Sequence, residues 1–170
     1  MAELERDQAS QAVRIITTGG TIDKIYFDAR SQFEVGDPVI DHVLEEALVH
    51  LPWSVEALMQ KDSLELSDAD RQRIREAVLA APERRILITH GTDTMARTAE
   101  AIGDTEGRTV VLTGSLSPAR FRSSDAVFNV GAAFAATQCL PAGTWLFMNG
   151  RVFPAGDVRK NPETNRFESL

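Results

Sequence analysis

"RRILITHGTDTMARTAEAIG", residues 84–103, changes its period half-way along. Ile86, Leu87 and Ile88 form a short apolar run of the kind a buried strand needs. The run stops at His90-Gly91. Beyond it, Met95, Thr98, Ala99 and Ile102 recur at the i, i+3, i+4, i+7 spacing of a helix that buries one stripe. A strand that feeds a helix through a glycine-bearing turn is the first half of a βαβ unit.

The same grammar extends in both directions. Val13 to Thr18 reads as a buried, β-branched strand that ends in "TTGGT" (17–21). "FDARSQFEVGDP" (27–38) has no clear period and reads as a loop with room for a short hairpin. "PVIDHVLEEALVHL" (38–51) places Ile40, Val43, Leu44, Ala47 and Leu48 on one helical stripe. "VEALMQKD" (55–62) reads as a strand entering a polar turn at Asp62-Ser63. In "SDADRQRIREAVLAA" (67–81), Ser67 followed three residues later by Asp70 resembles a capping box. "RTVVLTG" (108–114) and "GTWLFMNG" (143–150) are further strands, and "RVFPAGD" (151–157) turns back as a short one. "SSDAVFNVGAAFAATQ" (123–138) is a helix apolar on almost every face, which predicts burial or an interface. The alternation predicts a three-layer α/β domain with a mostly parallel sheet and helices on both faces. Residues 1–12 read as a polar lead-in to one domain over 13–170.

Bulk properties narrow the function classes. The chain has 170 residues and a formal net charge of -7, which argues against nucleic acid or an anionic membrane as main partner. Cys139 is the single cysteine, so no intramolecular disulfide forms. "MAELERDQASQAV" lacks the apolar core of a signal peptide, and no apolar stretch approaches the roughly 20 residues of a membrane helix. The expectation is a soluble cytoplasmic protein. His42 and His50 are eight residues apart and cannot form an i, i+4 metal pair, so no metal or cofactor is expected.

Ligands of open parallel sheets bind beyond the carboxyl ends of the strands. "TTGGT", "HGTDT" (90–94) and "TGSLSP" (113–118) would gather there, and "NGRVFPAGD" (149–157) could return to them. That edge would carry Thr18, Thr21, Thr92, Asp93, Thr94, Ser115 and Ser117, with Lys160 close behind. Each turn alone reads as ordinary capping. His90 alone reads as a hydrogen-bonded structural histidine, and Lys160 alone as a solvated charge. Together they offer a hydroxyl nucleophile, a Thr-Asp-Lys group to take its proton, and strand-end N–H groups for an oxyanion. Tyr26 could serve as acid or base beside Thr21. This is equipment for acyl transfer.

"TTGGTID" (17–23) and "THGTDTM" (89–95) resemble the two signature motifs of bacterial-type L-asparaginases. "LTGSLSPARFRSSDAVFNV" (112–130) and "NGRVFPAGDVRKN" (149–161) resemble the segments that follow in that family. The resemblance implies hydrolysis of L-asparagine to L-aspartate and ammonia through a threonine acyl-enzyme. It makes Thr21 the nucleophile and Thr92, Asp93 and Lys160 the group that activates it. It places Gly20, Asp62, Ser63 and Gly91 around the substrate, with Ser63 taking the α-carboxylate. Leu64 stands where the family often has glutamine. The family's catalytic tyrosine lies in a segment like "SQFEVG" (31–36), where this chain has Phe33, so Tyr26 is expected to substitute. The smaller C-terminal domain of common members is not expected, and a homo-oligomer, dimer or tetramer, is. Two other readings stand: glutaminase or amidotransferase-type chemistry at the same site, and an amino-acid sensor or oligomeric scaffold without turnover.

Overall fold

A computed structural model describes residues 11–27 and 32–170; most of the polar segment 1–12 therefore lies outside the described residues. Six strands form the central sheet: β1 (Val13–Gly19), β4 (Trp53–Lys61), β5 (Arg85–Thr89), β6 (Thr109–Thr113), β7 (Gly143–Met148) and β8 (Arg151–Pro154). Their order is β4-β1-β5-β6-β7-β8. The first five are parallel and β8 is antiparallel to β7. The carboxyl ends of β4, β1, β5 and β6 are thus neighbours.

Alternation along the central strands explains the layers. Ile16, Ile86, Ile88, Val110 and Leu112 point into one core with Ile74, Val78, Met95 and Ile102 from α2 (Asp68–Ala80) and α3 (Met95–Ile102). Val13, Ile15, Leu87 and Val111 point the other way, to Ile40 and Leu44 of α1 (Ile40–Glu46) and Val130 and Phe134 of α4 (Ala126–Cys139). Successive residues of a strand face opposite sides, so a strand covered on both faces must be apolar throughout. Ile86, Leu87 and Ile88 are fully buried, and each such side chain contributes roughly 1.5–3 kcal/mol of transfer free energy.

The capping box at Ser67 is present: Ser67 Oγ accepts from the Asp70 N–H, and the Asp70 carboxylate accepts from the Ser67 N–H. Two helices depart from expectation. The 38–51 stripe forms helix only over Ile40–Glu46; Leu48 has φ 52° and is 87% exposed. The left-handed residue ends the helix before its last apolar positions can join the stripe. The apolar helix begins at Ala126 rather than Ser123, because Ser124 and Asp125 bind the turn before it. Only one side of α4 is buried; Val127 and Phe128 are exposed.

The expected loop after β1 contains a regular pair. β2 (Lys24–Phe27) and β3 (Gln32–Val35) form an antiparallel ladder with Tyr26 opposite Phe33. A second pair, β9 (Arg159–Asn161) and β10 (Arg166–Glu168), follows the sheet; it sets Lys160 opposite Phe167, which is 3% exposed.

Candidate active site

The turns beyond β1, β4 and β5 touch because two of their residues lack a side chain. Gly20 has φ +90°, and a Cβ there would lie 2.4 Å from the Gly91 nitrogen. A Cβ on Gly91 would lie 2.6 Å from the Ser63 Cβ. Three chain segments therefore meet at van der Waals distance, which is possible only with glycine at both crossings. The β1–β4 register shifts between Thr17 and Gly19, which steers the chain out of the sheet into this contact. Thr21 and Thr92 each follow one residue after the Gly20–Gly91 crossing.

The hydroxyls at this edge divide by what they bind. Thr18 Oγ1 donates to the Thr89 carbonyl (2.9 Å), Thr94 Oγ1 to the Ser63 carbonyl (2.8 Å) and Ser115 Oγ to the Ser117 carbonyl (2.6 Å). The first two stitch one segment to the next, and the third closes the turn after β6 on itself. Thr92 is different. It is 6% exposed, and Lys160 Nζ donates to its Oγ1 at 2.9 Å and to Asp93 Oδ1 at 2.5 Å. The Lys160 side chain is 15% exposed and that of Asp93 46%, so the lysine is no ordinary solvated charge. It arrives from β9, which is held by burial of Phe167 and by the Phe167 N–H donating to Asn149 Oδ1 at 2.9 Å.

The other expected residues take varied positions. Ser63 is 1% exposed and lies against Gly91. Asp62 caps the 3-10 turn Ser63–Glu65, and its carboxylate is ion-paired with Lys24 at 2.8 Å. Partial burial raises its pKa, but the Lys24 and Leu64 hydrogen bonds outweigh that and hold it below the usual carboxylate value. Tyr26 stands apart: it is 53% exposed, packs edge-on against Phe33 with ring centroids 5.4 Å apart, and makes no hydrogen bond to Thr21. Directly opposed residues share a face of the ladder, so Tyr26 and Phe33 present their rings to the same side.

His90 is the buried structural histidine expected. Burial pushes its pKa down to about 4. The neutral ring has one N–H; since a carbonyl can only accept, Nδ1 donates to Gly91 O (2.7 Å) and Nε2 accepts from the Thr98 hydroxyl (2.9 Å). The ring thereby orients the Gly91–Thr92 turn. One support was missed in the sequence: Asp125 accepts from the Leu116 N–H (3.0 Å), the Ser117 N–H (3.1 Å) and Asn129 Nδ2 (2.9 Å), while Asn129 also donates to the Gly114 carbonyl at 2.9 Å. Its signal was an acid ahead of an apolar helix, which reads equally well as a simple cap. Among the described residues, no three His, Cys, Asp or Glu side chains cluster to hold a metal ion, and no helix is long and apolar enough to cross a membrane.

The chain is 30% identical over 143 residues, 79% of its length and 35% of the relative's, to a glutamyl-tRNA(Gln) amidotransferase component of Thermoplasma acidophilum. It is 29% identical over 163 residues, 89% of its length and 47% of the relative's, to a probable periplasmic L-asparaginase of Haemophilus influenzae. Among solved structures it is similar to the thermostable L-asparaginase of Thermococcus kodakarensis, with a TM-score of 0.82, 26% identity, and coverage of 94% of this chain and 51% of the other. The chain thus spans about half, or less, of the length of these proteins. Residues 12–170 match the family described as "Asparaginase, N-terminal"; since that span takes in every turn of the site, the chain belongs to the asparaginase family.

Proposed function

We propose that the protein hydrolyses the side-chain amide of L-asparagine, giving L-aspartate and ammonia through an acyl-enzyme on Thr21. The observation that carries this reading is the Lys160 contact: one amine within hydrogen-bond distance of both Thr92 Oγ1 and Asp93 Oδ1, one residue past the Gly20–Gly91 crossing. Thr21 Oγ1 forms a bond to the amide carbon, and its proton passes toward Thr92 and Lys160. For that transfer the amine accepts from the threonine hydroxyl, and Asp93 holds the resulting ammonium. Backbone N–H groups of the glycine turns stabilise the oxyanion. The C–N bond breaks as nitrogen takes up a proton and ammonia leaves. Water then attacks the ester carbon, aspartate departs and Thr21 regains its proton.

Ser63 and Asp93 are suited to the substrate's α-carboxylate and α-ammonium respectively, with Gly20, Asp62 and Gly91 shaping the wall. Tyr26 is the tyrosine hydroxyl available to Thr21, since it is the single tyrosine of the chain. The exposed Val127 and Phe128 of α4 support self-association into a homo-oligomer. The amidotransferase relative keeps a glutamyl amide in view as a second substrate. One methylene is worth roughly 1–3 kcal/mol in a pocket, so the two amides must be compared directly. Ammonia release is measured with L-asparagine and L-glutamine for the wild type and Thr21→Ala. Release from asparagine that is lost in folded Thr21→Ala supports the reading; full activity in that variant overturns the nucleophile.

A further inference from the structure

Asp23 is a buried carboxylate that the proposed reaction leaves unused. It closes the short 3-10 turn that begins at Thr21 and is 2% exposed. Its N–H donates to the Gly20 carbonyl at 3.2 Å. Its own carbonyl accepts from the Gly36 N–H at 2.8 Å, and its Oδ1 accepts from the Val39 N–H at 3.0 Å. Oδ2 has no hydrogen-bond partner among the described residues. One residue is therefore bonded to the backbone just before Thr21, to Gly36 directly after β3, and to Val39 at the start of α1, where the chain leaving β3 enters the helix.

Between those attachments lies the β2–β3 pair. Lys24 is opposite Val35 and Tyr26 opposite Phe33. The sheet does not hold this pair; it forms a separate two-stranded unit. Among the described residues it is also held by the Lys24–Asp62 ion pair and by Phe33, whose ring meets Phe121 edge-on with centroids 5.9 Å apart. A carboxylate with one orphan oxygen is an expensive way to satisfy a single N–H, because its desolvation is uncompensated. Burial accordingly pushes the Asp23 pKa up to about 6, against the Val39 hydrogen bond and the charge of Arg120. A simple backbone acceptor would serve local structure at lower cost.

We infer that Asp23 is a positioning residue: through Val39 its carboxylate fastens the exit of the β2–β3 pair to the turn of Thr21, and so sets Tyr26 relative to the nucleophile. The inference rests on reading Thr21 and Tyr26 as partners in the reaction. It does not make Asp23 a proton carrier. Misplacing a reacting group by an ångström can cost about 10²-fold in rate. Substrate contacts at Ser63 and Asp93 stand on other elements, so the loss falls on kcat rather than KM.

The test compares Asp23→Ala with Asp23→Asn. Asparagine keeps an oxygen for Val39 and alanine does not. Activity is read as kcat and KM. Placement is read from the ring signal of tyrosine-labelled protein, which has a single resonance set because Tyr26 is the only tyrosine. Asp23→Ala is expected to lose roughly 10- to 100-fold in kcat with KM within about threefold, and its Tyr26 signal should lose the ring-current shift from Phe33. Asp23→Asn should restore both. If Asp23→Ala does not fold, Asp23→Leu, with the same branched skeleton and no charge to desolvate, is read in its place with the same expectations. A folded Ala or Leu variant with unchanged kcat and an unmoved Tyr26 signal overturns the inference, as does an Asn variant equally impaired. If the wild type releases no ammonia, the proposed function fails, while the Tyr26 signal still decides whether Asp23 holds the pair.

Discussion

The two halves of the site are built to different standards. Thr92 and Asp93 project from the end of β5, whose Ile86, Leu87 and Ile88 are fully buried, and they already hold Lys160. Tyr26 sits on a two-stranded pair outside the sheet, 53% exposed, with Phe33 50% exposed beside it. Two strands alone are marginal in water. The difference teaches that the proposed proton-handling group is preorganised by the core, whereas the tyrosine sits on a pair whose ties, among the described residues, include Asp23 to Val39, Lys24 to Asp62 and the edge-on contact of Phe33 with Phe121.

Removing Lys160 should break the rigid half without disturbing the fold. Lys160→Met is expected to lower kcat by roughly 10³-fold, with the melting temperature within a few degrees of wild type. A mild kcat effect would show that the preorganised group is not the one that moves the proton. The joint between the halves comes next. Gly20→Ala forces a Cβ to within 2.4 Å of the Gly91 nitrogen at a positive φ, and should cost about 3 kcal/mol in denaturant unfolding. An unchanged midpoint would mean the crossing can open without penalty.

Tyr26→Phe probes the suspended half: kcat falls by roughly 10²-fold with stability unchanged. Because Tyr26 and Phe33 face each other across the ladder, adding Phe33→Tyr should recover part of that loss. No recovery would show that the hydroxyl is needed at one strand only.

The smallest effect is in the pH dependence of stability. Asp23 moves from an ordinary 3.8 to about 6, so between those values the folded state binds the extra proton and stability falls as pH rises. His90 moves from 6.5 to about 4, so over that range the unfolded state binds the extra proton and stability falls as pH drops. The slopes oppose, and the wild type should be nearly flat between pH 5 and 6. Asp23→Asn removes one of them. Its stability should then fall on acidification, by about 1 kcal/mol over that unit. A variant as flat as the wild type would show that Asp23 does not carry the raised pKa.

Much of this was legible in the residues themselves. The switch from an apolar run to helical spacing around His90-Gly91 predicts β5 and α3, and the same logic predicts the parallel sheet, because strands buried on both faces must be apolar throughout. The paired motifs announced the family. The β2–β3 pair was harder to read, since the alternation in "FDARSQFEVGDP" is confined to Gln32–Val35 and no sharp turn signal precedes it. α1 was overestimated because Leu48 fits the helical stripe; nothing in the spacing reveals a left-handed residue. Asp125 was hidden because an acid before a helix has an ordinary capping use.

Local chemistry by itself determined the layers, the order of the elements and the kinds of group that meet at the carboxyl edge, because period and glycine placement act over a few residues. Which hydroxyls are spent on backbone carbonyls and which face Lys160 was decided only by tertiary structure. So were the arrival of Lys160 at Thr92 from a strand 68 residues away and the tie from Asp23 to Val39. These depend on which distant segments touch, and contact at that range is set by the packing of the whole sheet and the absence of a Cβ at Gly20 and Gly91.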